Sequence, residues 1–104
     1  MNKELTKGQK RELNRLAALA HDRELTAALA AVEGQFRQWR AGAIGPHELS
    51  DAIHVFHQGP SRELWVRYTD GPAYLAVLGA IRRGVVAEDE VPSEVLELLR
   101  PLVG

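Results

Sequence analysis

The sequence predicts an all-α protein, a compact bundle of four to five helices with a long or kinked N-terminal helix. Apolar residues recur at spacings of three and four along most of the chain, and no stretch alternates between apolar and polar residues. Pairs of glycine and proline divide this pattern into segments. The chain has 104 residues, 45% of them hydrophobic, which suits one helical domain over residues 1–104.

The first predicted helix begins after Thr6 and ends near Gly42. Thr6 and Gln9 have the spacing of a capping box, and glycine is the usual residue just beyond a helix. The apolar positions of its first half fall on one face, which predicts a core contact there. These positions are Leu13, Leu16, Ala17 and Ala20.

A second apolar stripe follows in the same segment, roughly 120° around the helix from the first. It consists of Leu25, Leu29, Val32, Phe36 and Trp39. Two interpretations stay open: the helix breaks near His21, with Asp22 as a new N-cap, or it continues and changes neighbours there. A single helix over 9–40 would be roughly 48 Å long and would overhang a domain with an expected radius of gyration of about 13 Å. The stripe would then need a partner.

Gly45-Pro46 opens the second predicted helix. Its inward positions are Leu49, Ala52, Ile53 and Phe56. Gly59-Pro60 is expected to interrupt it, and Ser61 is expected to cap a short segment. That segment carries Leu64, Trp65 and Tyr68.

Residues 73–81 are apolar on every side, which predicts a buried central helix ending near Gly84. Residues 85–91 predict a turn or a single helical turn. Pro92-Ser93 opens a last helix, which is expected to stop before Pro101. Its inward positions are Val95, Leu98 and Leu99.

The most unusual cluster of polar and aromatic residues follows the second helix. It comprises the candidate partner- or ligand-binding residues His54, His57, Arg62, Glu63 and Trp65. His54 and His57 are three residues apart and close enough to share a metal ion, but two histidines leave a zinc site incomplete. Nothing in the sequence places a third ligand, such as His21 or Glu63, beside them. We therefore predict no metal ion.

Catalysis has even weaker support. A histidine base with Glu63 and Arg62 would need Ser50 or Ser61 as the nucleophile. Neither serine stands in the G-x-S-x-G turn of hydrolases, and no phosphate-binding or dinucleotide-binding motif is present. We therefore predict no catalytic residue and no cofactor.

Charge and composition narrow the remaining classes of function. The net charge is −1 and there is no cysteine, which favours neither nucleic acid nor a disulfide framework. No apolar run is long enough for a membrane span or opens the chain as a signal peptide, so a cytoplasmic protein is expected. The excess of arginine over lysine and the abundant alanine are typical of a GC-rich bacterial genome.

The sequence therefore favours a non-enzymatic interaction or regulatory module that binds another protein or a second copy of itself. The adhesive surface would be the stripe of Leu25, Leu29, Val32, Phe36 and Trp39. One alternative is a His-based metal- or small-ligand-binding protein using His54 and His57 with Glu63. A further alternative is a weak nucleic-acid contact through the basic N-terminus, where Lys3, Lys7, Lys10, Arg11 and Arg15 outnumber Glu4 and Glu12.

Overall fold

The computed structural model describes residues 5–103, and these residues are helical apart from short connections. The α-helices are α1 (Lys7–Arg40), α2 (Pro46–Phe56), α3 (Arg62–Thr69), α4 (Ala73–Arg82) and α5 (Ser93–Val103). A π-helical turn (His57–Ser61) joins α2 to α3, and a 3-10 turn (Glu88–Glu90) precedes α5. The all-α prediction is confirmed.

Helix α1 is one continuous helix, which resolves the alternative left open by the sequence: Asp22 lies inside α1 and is not an N-cap. Its 34 residues correspond to about 51 Å. Thr6 caps its start, where the Gln9 backbone N–H donates to Thr6 Oγ1 at 3.0 Å and the Thr6 N–H donates to Gln9 Oε1 at 2.9 Å. At its end Gly42 has a φ of +79°, and its N–H donates to the Trp39 carbonyl, as in a Schellman motif.

The molecule is elongated because only part of α1 lies within the main core. Its extents are 58 × 24 × 24 Å and its radius of gyration is 17.6 Å, against about 13 Å for a compact chain of this length. The first half of α1 packs with α4 and α5 around one buried cluster, which we call the body. The cluster contains Leu13, Leu16, Ala17, Ala20, Val77, Leu78, Ala80, Val86, Val91, Val95 and Leu99.

The second half of α1 leaves the body and packs against α2, the π turn and α3, which run back antiparallel to it. We call residues 24–69 the hairpin. Arg23 of α1 holds the 3-10 turn and the residues before it: it donates two hydrogen bonds to the Glu90 carboxylate, at 2.6 and 2.9 Å, and one to the Val85 carbonyl at 2.9 Å. The Arg23 guanidinium and the Ala87 N–H lower the pKa of Glu90 to about 2.

The interruption expected at Gly59-Pro60 is wrong. The chain stays helical, and Ser61 has helical angles (φ −63°, ψ −46°) with no capping hydrogen bond. A proline ring clashes with the carbonyl four residues earlier and donates no hydrogen bond. The wider π turn accommodates Pro60 without ending the helix.

The end of α5 and the burial of α4 also differ from the expectation. Helix α5 does not stop before Pro101 but includes it, at the cost of one backbone hydrogen bond in its last described turn. Helix α4 is apolar all round without being buried all round: Val77 is fully buried, whereas Leu75 remains 53% exposed.

Candidate functional site

The hairpin buries very little apolar surface of its own. Among its described side chains only Leu49 and Leu64 are buried hydrophobics, and neither belongs to the core cluster of the body. The remaining large apolar side chains of the hairpin are half-buried or exposed. Two packed helices with no third layer leave both flanks uncovered, and helical hairpins usually bury such a flank against further helices.

One flank of the hairpin carries large apolar side chains from both antiparallel segments. Leu29, Ile53 and Trp65 are exposed, and each comes directly after a less exposed residue, which is Ala28, Ala52 and Leu64 respectively. The half-buried Phe36 lies seven residues beyond Leu29 and therefore on the same side of α1. A step of one residue rotates the side chain by about 100°. Two antiparallel helices are related by a two-fold axis normal to the plane that contains both of them. The same one-residue step on each helix therefore turns the side chains of both helices to the same side of this plane. Together with Val32 these four form what we call the open face.

The open face points away from α4 and α5. Ala20 is fully buried in the body, and Leu29 lies nine residues further along α1, which is about two and a half turns. Leu29 therefore stands on the opposite side of α1 from the body. Trp65 is 62% exposed, Leu29 48% and Ile53 41%.

Two shallow grooves run along the edges of the open face. The groove on α1 has a volume of about 340 Å³. It is lined by Leu29, Val32, Glu33, Phe36, Arg37 and Arg40. The groove on the opposite segment has a volume of about 430 Å³ and follows the π turn. It is lined by His57, Gln58, Ser61, Arg62 and Trp65.

The structure brings together three of the five predicted binding residues: His57, Arg62 and Trp65 line the same groove. His54 and Glu63 are exposed and do not line it. Within residues 5–103 no three His, Asp or Glu side chains are close enough together to hold a metal ion. The predicted stripe on α1 is split, since Leu29 and Trp39 are exposed while Leu25, Val32 and Phe36 are half-buried.

A polar network that the sequence did not reveal joins the hairpin to the body. The Glu24 carboxylate accepts hydrogen bonds from Arg67 Nη1 at 2.8 Å, from the Tyr68 hydroxyl at 3.0 Å and from Arg83 Nε at 3.1 Å. Arg83 also donates to the Tyr68 hydroxyl, and the Tyr68 ring stacks on His21 with centroids 5.1 Å apart. This network connects α1, α3 and the residue that caps the end of α4.

The environment of this network shifts two pKa values in opposite directions. Burial disfavours the charged form of Glu24, but the hydrogen bonds from Arg67, Tyr68 and Arg83 outweigh it and lower the pKa of Glu24. Burial, together with the hydrogen bond to Glu24, raises the pKa of Tyr68. Glu24 is therefore the charged acceptor and Tyr68 the neutral donor at neutral pH.

The basic start of α1 shows no comparable organisation. Lys7, Lys10, Arg11 and Arg15 are exposed, and Arg15 pairs with Glu12 at 2.8 Å. Lys3 and Glu4 lie outside the described residues. Among the described helices none is both long and apolar enough to cross a membrane.

Comparison with known proteins adds no further information, because no protein-family model, no curated protein and no solved structure matches this chain. The open face, with its two grooves, is therefore judged on its own chemistry. It presents apolar side chains at its centre and a mixture of arginine, histidine and carboxylate side chains at its edges.

Proposed function

We propose that this chain is a non-enzymatic protein-interaction module that binds its partner through the open face of the hairpin. The observation that supports this proposal is the contrast between the inner surface of the hairpin, where its two segments touch, and one of its flanks. Inward, the hairpin buries only Leu49 and Leu64, whereas Leu29, Ile53 and Trp65 stand exposed on one flank.

The energetics favour covering this flank. Fully burying a large apolar side chain stabilises a protein or complex by about 1.5–3 kcal/mol. Covering the exposed side chains of the open face would therefore stabilise a complex by several kcal/mol, concentrated on one surface. Aromatic anchors such as Trp65, with an arginine beside them, are the residue types that dominate binding energy in protein interfaces.

The alternative of a His-based metal or small-ligand site has less support. The groove beside His57 is walled by side chains of one helical segment, and four of its five lining residues are exposed. Small-ligand sites are usually concave pockets that enclose most of the ligand. A partner that lies across the hairpin would contact the same residues without needing enclosure.

The proposal is tested with a photo-crosslinking amino acid placed at Leu29 or at Val55, in cells that naturally make the protein. Val55 is the matched control: it is 66% exposed and directly precedes Phe56, so it lies on the other flank of the hairpin. We expect a discrete protein adduct from position 29 and none from position 55. Equal yields from both positions, or no adduct from either, would show that the open face is not an interaction surface.

A further inference from the structure

We infer that the partner of the open face is a second copy of this chain, docked hairpin to hairpin to complete a four-helix bundle. This inference rests on the proposed function and names its partner. A two-fold symmetric contact uses the same patch on both subunits, so the patch must be wide enough, large enough and suitably charged to pair with itself.

The open face is two helices wide, which selects a partner of the same width. Leu29 stands on α1 and Trp65 on α3, and both are rotated about 80–100° away from the line where the two segments touch. A single helix lying along the middle of the open face would leave these outer side chains exposed. A second hairpin provides two parallel ridges and covers both edges.

The available area reaches the size of a specific interface. Residues 22–40 extend over about 27 Å, and two adjacent helices are about 20 Å wide, giving a footprint on the order of 500 Å² per copy. Two copies together therefore bury on the order of 1,000 Å², the total at which specific interfaces begin.

The charge distribution is compatible with self-pairing and favours an antiparallel arrangement of the two α1 helices. From Glu24 to Arg67 the hairpin carries four arginines and five carboxylates, so two copies do not repel each other strongly. The open edge of α1 has Asp22 near the body and Arg40 at the hairpin tip. Antiparallel docking places each tip beside the other copy's Asp22 region, whereas parallel docking of α1 on α1 would bring the arginines together.

The experiment is sedimentation equilibrium of the full chain over a wide concentration range, comparing the wild type with Leu29→Asp and Val55→Asp. We expect a wild-type dimer, a dissociation constant at least about 100-fold weaker for Leu29→Asp, and a change within about threefold for Val55→Asp. Circular dichroism of each variant establishes that its helices are intact. Trp65→Asp, on the opposite segment of the same face, is the second variant and should weaken the dimer similarly.

The outcomes separate this inference from the proposed function. A wild type that stays monomeric, combined with a crosslinked adduct at position 29 whose mass identifies a different protein, overturns the second-copy inference and leaves the proposed function standing. A monomer with no adduct overturns both. A dimer that Leu29→Asp leaves intact, or that Val55→Asp weakens equally, uses another surface and overturns the inference.

Discussion

Glu24 is the residue at which the hairpin and the body are tied together. Its carboxylate accepts hydrogen bonds from Arg67 in α3 and from Arg83 just beyond the end of α4, while Glu24 itself belongs to α1. The Arg83 side chain passes close to Gly79, where an added Cβ would stand 2.9 Å from Arg83 Nη1. The carboxylate thus fixes how the long helix leaves the core.

Replacing Glu24 by Gln should destabilise the protein by about 1–2 kcal/mol at pH 7, since charged hydrogen bonds are lost but the two arginines are partly solvated. The folded pKa of Glu24 is lowered from its ordinary value of 4.5, so its stabilisation is fully present above that pH. It disappears as the pH falls through the folded pKa. Urea unfolding of both proteins at a series of pH values should show the difference shrinking in acid.

Glu33→Gln is the matched control, because Glu33 pairs with Arg37 within the same helix and both side chains are well exposed. It should change the free energy of unfolding by no more than about 0.5 kcal/mol. Equal destabilisation by the two substitutions, or a Glu24→Gln effect independent of pH, would contradict the role assigned to the network.

The sequence could not reveal this network because its members are far apart in the chain. Glu24 lies 43 residues from Arg67 and 59 from Arg83. Local rules pair charges three or four residues apart, as they do for Glu12 with Arg15 and Glu33 with Arg37. The Thr6 cap was predictable, in contrast, because its partner Gln9 is only three residues away.

The π turn is the element that keeps the hairpin in register. In a regular α-helix Leu64 would lie about 80° around from Phe56 and Tyr68 about 120° around from it. The π turn absorbs one residue and brings Leu64 and Tyr68 back to the side that faces α1. Leu49, Phe56, Leu64 and Tyr68 can then all contact one straight partner helix.

Inserting one alanine after Gly59 should add a second extra residue, which the single π turn does not absorb, and rotate α3 by about 100° relative to α2. Either Leu49 or Leu64 would then leave the contact with α1, at a cost of about 2–3 kcal/mol. Gly59→Ala keeps the length and meets nothing within 4 Å of the added Cβ, so it should be nearly neutral or mildly stabilising. Urea unfolding of the two variants measures the difference, and an unaffected insertion variant would show that the register does not depend on the π turn.

Helix positions were predictable at this scale, but the continuity of α2 with α3 was not. Gly59-Pro60 is a typical stop signal, and the spacing of eight would turn Leu64 about 80° away from Phe56 in a regular helix. The π turn accounts for both features. The apolar periodicity of a single sequence does not distinguish such a turn from a break in the helix. Conversely, Pro72 and Gly71 do mark a true boundary, where Asp70 adopts extended angles.

At the scale of the whole molecule, the length of the first apolar pattern led to the main prediction, that the first helix overhangs the rest of the domain. A helix of about 32 residues is longer than a domain of this size, and the extent of 58 Å shows that α1 does extend beyond the body. The sequence did not show that α2 and α3 run back along the overhang and cover Leu25 and part of Phe36. The stripe is therefore shared between the hairpin contact and the open face.

The uneven core predicts uneven local stability. The buried cluster of the body brings together residues about 60 positions apart in the chain, such as Leu16 and Val77. The hairpin, in contrast, has only Leu49 and Leu64 buried. Regions with few buried apolar contacts open at a lower free energy than the global unfolding. In dilute solution the backbone amides of 25–39 and 47–66 should therefore exchange faster than those of 13–20 and 77–81. Hydrogen–deuterium exchange followed by mass spectrometry measures this directly.

The same measurement at high protein concentration separates an intrinsically loose hairpin from one that its partner completes. If a second copy covers the open face, protection of 25–39 and 47–66 should rise with concentration by mass action, while that of 13–20 stays constant. Leu29→Asp should abolish the rise and Val55→Asp should preserve it. Equal protection of hairpin and body in dilute wild-type protein would contradict the prediction, since the contacts around Leu49 and Leu64 would then suffice to hold the hairpin closed on their own.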